Sequence, residues 1–488
     1  MSPNFNKNII CLVSPPFEAL GAGKDYVKHI INRSPSIGLL TLAATLRRDS
    51  FTPQIVECDI LDLDEAAAAK KIIDAKPDFV GFTLFTVGVF PALNIAKEIK
   101  KALPEVPIIV GGPHLSSMAK ETLEQFDTFD YAIVGEGEVG LSALLEALQT
   151  KEPEEEKLAQ VPALMYRKQG KVVMSKVANT PMELDTLPMP AWDLLYGFPQ
   201  IYKPSVFDYP KGPVATFAAS RGCPFTCRFC DNSTFGRRSR YHSPDYVLNV
   251  MEHLSETYGI AHIQFVDDLF MASKSRVKEI CEKLIAKKSK ITWSCGSRVD
   301  TINPEILELM KAAGCWEISF GLESGSDELL RKMSKSIRIE KSIRAITWAK
   351  EAGIRTKGLF MLGYPGENAK TIAETKAFVQ KIPLTILNLS KFSPYPGSPI
   401  YEDLYQAKLR DEDWGKLNSM NFIWESDEIT HEELDREYRE ILGTFYRRHR
   451  VGLYYVKLMI KNPKHVARLA MFIGGWAKAT LLGKLKSG

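Results

Sequence analysis

The chain has 488 residues, 45% of them apolar and 25% charged, with a formal net charge of +4. That length gives room for about three domains, and the balance of apolar and charged residues excludes a disordered or fibrous chain. No apolar run reaches the roughly 20 residues of a bilayer-spanning helix, and the first residues lack a secretory core. Eight cysteines in a chain of this size fit reduced thiols better than a disulfide framework, so a cytoplasmic protein is expected.

In residues 1–150, short apolar runs at 9–14, 54–57, 79–84, 108–111 and 131–134 alternate with helical periodicity at about 37–48, 64–74, 91–103, 117–126 and 138–149. Strands spaced by helices predict a doubly wound, parallel α/β sheet. Ligands of such sheets bind beyond the carboxyl ends of the strands. At those ends stand Ser14-Pro15-Pro16, Thr83 to Thr86, Gly111-Gly112-Pro113-His114 and Gly135-Glu136-Gly137-Glu138. Glycine there lets backbone approach a bulky ligand closely. Gly21-Ala22-Gly23-Lys24 is no phosphate loop, because Glu18 holds the first glycine position and Asp25 follows the lysine. No G-x-G-x-x-G follows the first strand, so a dinucleotide is not the expected ligand.

Residues 151–211 read as a connector. A charge run at 151–157 precedes Pro181, Pro188, Pro190, Pro199, Pro204 and Pro210, with Trp192 among them. Proline-dense chain with aromatics predicts an ordered arm laid across a surface, with no chemistry of its own.

Residues 212–403 carry six β-rich runs, at 214–219, 262–266, 291–296, 316–320, 356–362 and 386–392, separated by helical patterns such as 244–258 and 274–287. Six βα units predict a partial (β/α)6 TIM-like barrel with its active face at the strand carboxyl ends. Directly after the first run comes Ser220-Arg221-Gly222-Cys223-Pro224-Phe225-Thr226-Cys227-Arg228-Phe229-Cys230. Three thiols in the pattern C-x3-C-x2-C on one turn can converge on one metal centre, and cysteine thiolates are the usual ligands of a [4Fe–4S] cluster. Three ligands for four irons leave one iron open, as at a catalytic metal. Zinc would need a fourth ligand, for which His242 is the candidate, but no second C-x-x-C follows.

Other polar residues fall at the remaining strand ends. Asp267 and Asp268 follow the second run, Ser297 and Arg298 the third, and Glu323 and Ser324 the fourth. Gly363-Tyr364-Pro365-Gly366-Glu367 and Pro394 to Pro399 follow the fifth and sixth. Paired carboxylates can hold an ammonium group, and an arginine fork can meet a carboxylate. Cys11, Cys58, Cys281, Cys295 and Cys315 lie in apolar or amphipathic contexts and read as small core residues; Cys295, near a strand end, could instead point into the barrel.

The cysteine pattern, with aromatic Phe229 before the last thiol, resembles the signature of the radical S-adenosylmethionine (SAM) superfamily. The resemblance implies a [4Fe–4S] cluster on Cys223, Cys227 and Cys230 whose open iron binds SAM, giving a 5′-deoxyadenosyl radical that abstracts hydrogen from an unactivated carbon. It further implies SAM contacts at Asp267, Asp268, Arg298, Glu323, Ser324 and Gly363. Pro15-Pro16, Ser36 to Ala44, Gly111 to His114 and Val134 to Glu138 resemble the cobalamin-binding domain of B12-dependent radical SAM enzymes. That places Pro15, Pro16, Thr83, Gly111, Gly112, His114, Gly135, Glu136 and Gly137 about a corrinoid. No D-x-H-x-x-G motif is present, so cobalt is expected without a protein imidazole, His114 being the one substitute.

Residues 404–488 read as helical. From Ile441 onward there is no acidic residue, while Arg447, Arg448, Arg450, Lys457, Lys461, Lys464 and Arg468 accumulate among Tyr446, Leu453, Tyr454 and Tyr455. Such a segment can rest on an anionic membrane surface, so peripheral contact through 441–488 is one expectation and a domain-packing helix the other. The order of domains resembles the group containing anaerobic magnesium-protoporphyrin monomethyl ester cyclase and the tetrapyrrole and hopanoid C-methyltransferases. The resemblance implies methylation of a hydrophobic small molecule, or oxidative cyclisation, with an electron donor such as ferredoxin or flavodoxin and no nucleic acid. The tRNA methylthiotransferases also set a domain before such a barrel, but they need three further N-terminal cysteines; the first domain here offers Cys11 and Cys58.

Overall fold

The computed structural model describes residues 8–16, 32–149, 155–405, 411–425, 428–448, 451–453, 459–460, 465–471 and 474. Gly21 to Lys24, the start of the charge run at 151–157 and most of the basic tail beyond 448 lie outside them.

The first sheet has seven strands: β1 (Ile9–Ser14), β2 (Thr52–Glu57), β3 (Phe79–Thr83), β4 (Ile108–Gly111), β5 (Tyr131–Ile133), β6 (Leu164–Lys168) and β7 (Lys171–Met174). Their spatial order is β2-β1-β3-β4-β5-β6-β7. The first five run parallel and the last two antiparallel. Helices α1 (Ile37–Arg48), α2 (Glu65–Asp74), α3 (Val89–Ala102), α4 (Pro113–Gln125) and α5 (Gly137–Leu148) cover both faces. The alternation of β1 explains how. Ile10 and Leu12 join Leu39, Leu144 and Leu145 of α1 and α5 in one core, while Cys11 and Val13 join the helices of the opposite face in another. That second core continues without a break into the barrel.

The order reverses between β1 and β3, which makes their carboxyl ends a topological switch point, the usual site of a ligand crevice. The connector differs from expectation. After a single helical turn at Glu155–Leu158 it forms the β6–β7 hairpin, which pairs with β5 and extends the first sheet to Met174. Arg167 on β6 donates to the carbonyls of Phe126 and Phe129 at 2.8 and 2.6 Å, fixing the hairpin to the loop before β5.

The second sheet holds β8 (Val214–Phe217), β11 (His262–Phe265), β12 (Thr292–Ser297), β13 (Cys315–Glu323), β14 (Arg355–Leu362) and β15 (Ile386–Lys391). All run parallel in sequence order, an open half-barrel. A short antiparallel ladder of β9 (Ser220–Arg221) and β10 (Arg240–Tyr241) brackets the cysteine loop. Local signals set the covering helices. Pro244–Tyr258 starts on Ser243, whose hydroxyl accepts from the Tyr246 amide, and stops at Gly259 with φ +67°. His431–Tyr446 starts in a capping box of Thr430 and Glu433 and packs against Ala369–Lys381 through Lys376 and Glu440, 2.9 Å apart.

Candidate active site

The carboxyl ends of both sheets face one cavity of about 1630 Å³, beyond the range of roughly 300–1,000 Å³ usual for a single small-molecule site. Its wall includes Pro15, Pro16, Thr83, Gly111, Gly112, His114, Gly135, Glu136 and Gly137 from the first sheet, and Thr216, Arg221, Asp231 and Asp268 from the barrel. Sequence reasoning therefore found the first-domain wall. At Gly112, with φ +98°, a β-carbon would stand 2.8 Å from Thr83 Oγ1 and 2.9 Å from the Leu84 nitrogen, so only glycine brings this turn against β3.

His114 does not serve as the substitute cobalt ligand. It lies in the first turn of α4 rather than in the glycine turn, is buried, and packs edge-on against Trp414. Its Nδ1 lies 3.1 Å from Thr86 Oγ1 and its Nε2 3.0 Å from Thr122 Oγ1. Both nitrogens are thus committed, and burial lowers its pKa to about 3.

The cysteine loop is held from three sides. Asp268 accepts the Gly222 amide at 2.8 Å, and Asp267 accepts the Ala219 amide at 3.1 Å and the Ser220 hydroxyl. Burial pushes Asp267 up to about 6. Asp267 is therefore a brace for the loop rather than an open ammonium site, whereas Asp268 still reaches the cavity. Arg298 is buried beneath the loop: its guanidinium carbon lies 3.6 Å from the Phe225 ring centroid, its Nη2 donates to Lys335 O at 2.9 Å, and it forks onto Asp300 at 2.9 and 3.0 Å. It meets a carboxylate, but that of its own neighbour.

Glu323 ends β13 with φ +60° and ion-pairs at 2.7 Å with Lys335, a buried lysine that sequence reasoning missed. Lys335 Nζ also lies 5.5 Å from the Phe229 ring, which packs edge-on to Tyr364. Ser324 turns away from the barrel mouth: its hydroxyl lies 3.2 Å from Thr375 Oγ1 on the helix Ala369–Lys381. Gly363, with φ +91°, gives its amide to Glu367, and a β-carbon there would stand 3.0 Å from the Phe422 ring. Cys295 faces the helix layer, within hydrogen-bonding reach of Cys315 and beside Cys281, rather than the barrel interior.

The three thiols differ in chemistry. The hydrogen bond from Cys230 and the charges of Lys335 and Arg298 hold Cys227 down at about 6 against burial. Donating that bond, together with burial, raises Cys230, and burial raises Cys223. A partly buried loop with three thiols, and with the cations of Arg298 and Lys335 beside it, suits an electron-rich iron–sulfur cube. His242 is no fourth zinc ligand: its Nδ1 lies 3.1 Å from Asp185 and its ring stacks on Tyr246 at 4.0 Å. Among the described residues no three His, Cys, Asp or Glu side chains gather about a single-ion position; a cube takes one thiolate on each of three separate irons. For a corrinoid, the oversized cavity, the glycine turns and the unpartnered buried hydroxyl of Thr216 on its wall make a fitting donor set without an imidazole.

Comparison with known proteins agrees with this geometry. The family model "Radical SAM superfamily" matches residues 218–379, and "B12 binding domain" matches 23–145. An uncharacterized methyltransferase of Pyrococcus horikoshii, PH0819, is 31% identical over 91% of this chain and 93% of its own length. The anaerobic magnesium-protoporphyrin IX monomethyl ester cyclase of Rubrivivax gelatinosus is 28% identical over 87% of this chain and 75% of its own. The solved structure of the radical S-adenosylmethionine methyltransferase TsrM from Kitasatospora setae has the same fold, with a TM-score of 0.66 at 19% identity, covering 83% of this chain and 79% of that one. The chain belongs to the radical SAM superfamily, among the methyltransferase-related members that carry a B12-binding domain ahead of the radical SAM domain.

Proposed function

We propose that this enzyme uses cobalamin, SAM and a [4Fe–4S] cluster to methylate an unactivated carbon of a bulky hydrophobic substrate of tetrapyrrole or polyprenoid type. The observation that carries the reading is the cavity shared by the two sheets: it is larger than a single-ligand site and has apolar walls at Leu42, Phe85, Val266, Leu417 and Met420. When bound, the cluster and SAM supply a carbon-centred radical, and cobalamin supplies a methyl carrier.

The chain's own residues supply position and shielding. Cys223, Cys227 and Cys230 would hold the cluster, with Arg298 and Lys335 beneath them. The turns at Gly112 and Gly135 would bring backbone against the corrinoid, and Asp268 and Thr216 line the space between. Phe85, 62% exposed at the end of β3, offers the cavity an apolar surface.

Oxidative cyclisation is the alternative, favoured by the similarity to the cyclase, and it would use the same site. SAM labelled in its methyl group separates the two: label in the product supports transfer, and its complete absence from product removes the first choice. Cys227→Ala is expected to abolish SAM cleavage. An absorption spectrum of anaerobically purified protein, scored separately for cluster and corrinoid bands, checks both cofactors. The reading brings with it a cytoplasmic site of action and an electron donor of the ferredoxin or flavodoxin type. Peripheral membrane contact through 441–488 is part of the proposal and draws support from Ile460, Val466 and Met471, which are exposed. Among the described residues no helix is long and apolar enough to cross a membrane.

A further inference from the structure

Four charged side chains meet where the first sheet touches the cysteine loop. Arg221, two residues before Cys223, places Nη1 2.6 Å from Glu136 Oε2 and Nη2 2.5 Å from Glu138 Oε1. Arg240, its partner across the β9–β10 ladder, pairs with the other Glu136 oxygen and donates to Met182 O at 2.9 Å. The four side chains keep only 6–11% of their surface exposed, and Phe235 covers the Arg221 guanidinium at 5.2 Å.

The arrangement joins two parts of the site. Glu136 and Glu138 flank Gly137 at the start of α5, on the turn that lines the first-sheet side of the cavity. Arg221 lies on the barrel side and leads into Gly222, whose φ of +85° and close approach to Arg238 fix the path of the loop. Two carboxylates and two guanidinium groups balance in charge, and Arg221 spans both glutamates with its rigid fork, which a lysine lacks. A buried ionic network adds little net stability compared with apolar packing, and its best attested use is to fix one arrangement among several.

We propose that the Arg221–Glu136–Glu138–Arg240 network is a positioning device that sets the separation between the cysteine loop and the corrinoid-side turn. The inference rests on the cofactor assignment above. Its members are positioning residues, since they act through the loop and the turn they hold.

The test uses the full chain, reconstituted anaerobically with iron, sulfide and hydroxocobalamin. Glu138→Gln and Arg221→Lys are compared with wild type. Pulsed EPR reads the distance distribution between cob(II)alamin and the reduced cluster, and metal analysis reads iron and cobalt per chain. Both variants are expected to keep wild-type iron and cobalt while the distribution broadens or shifts. Hydrogen exchange of residues 133–141 and 219–240 gives a reading independent of the corrinoid, with both segments of Glu138→Gln expected to exchange at least about tenfold faster together.

An unchanged distribution in fully loaded single variants overturns the proposal, as does faster exchange on one side alone. Wild-type protein without a corrinoid band would instead overturn the cofactor assignment, and the exchange data would still decide whether the network couples the two segments. If Arg221→Lys does not fold, Arg240→Lys, which leaves the Arg221 fork in place, is expected to give the same paired change at smaller amplitude, and protection confined to one segment would again refute the coupling.

Discussion

Replacing Gly112 by alanine probes whether the β4–α4 turn is built for close approach. The residue has φ +98° and ψ −172°, a region essentially reserved for glycine, where another residue costs about 1–3 kcal/mol. The new methyl would meet Thr83 Oγ1 at 2.8 Å and the Leu84 nitrogen and oxygen at 2.9 and 3.1 Å. The two Leu84 atoms are backbone, pinned by hydrogen bonds of 2.8 Å to Gly111 and 3.0 Å from His114, so relief requires moving the turn. Overpacking of that kind costs about 1–3 kcal/mol more.

The adjacent Gly111 is the internal control. Its added β-carbon would find Ile133 O at 3.7 Å, an ordinary contact, and its φ is not positive. Gly111→Ala should change stability by less than about 1 kcal/mol, whereas Gly112→Ala should lose roughly 2–6 kcal/mol from strain and crowding together. Urea unfolding measures the first effect. Cobalt retained per chain measures the second, because each 1.4 kcal/mol of displacement felt by the bound state weakens binding by about tenfold. If the two variants unfold at the same urea concentration and retain equal cobalt, the close-approach argument is wrong.

Lys335→Met should destabilise the chain by about 3–5 kcal/mol, because it leaves the Glu323 carboxylate buried without its partner. Lys335→Met/Glu323→Gln should recover most of that loss, and a double variant no more stable than the single would exclude the pair as the cause. Glu367 predicts a pH dependence. Burial raises its carboxyl from 4.5 to about 8, although it accepts the Gly363 and Tyr364 amides. The folded chain therefore holds a proton there that the unfolded chain has lost, and this stabilisation is complete below about pH 4.5 and fades as pH rises through 8. The difference between wild type and Glu367→Gln should change by about 1.4 kcal/mol per pH unit between roughly pH 5 and 8; parallel stability curves for the two proteins would refute it.

The sheets were legible because their strands are short apolar runs whose ends coincide with glycine, proline or acid. Alternation in β1 even separates the two faces of its sheet. The first-domain cavity wall followed from the same signal, since a strand end in a parallel sheet has one place to be. Side-chain direction at those ends was less legible. Glu323 leaves the strand with positive φ, so Ser324 turns into the helix layer, and nothing in the local pattern marks that twist. Lys335 went unseen because a lone buried lysine has no periodicity, and Arg221 meets Glu136 across 85 residues of sequence. The β6–β7 hairpin was hidden beside a proline-dense stretch that reads as irregular chain.

That hairpin determines where the first unit ends. A fragment cut at residue 150 would leave β5, three residues long, as a bare ribbon margin able to recruit a foreign strand, and would discard the Arg167 clasp on the carbonyls before it. An autonomous first lobe must therefore run at least to Met174, and any fusion or transplant of the corrinoid-side half should place its seam beyond that residue.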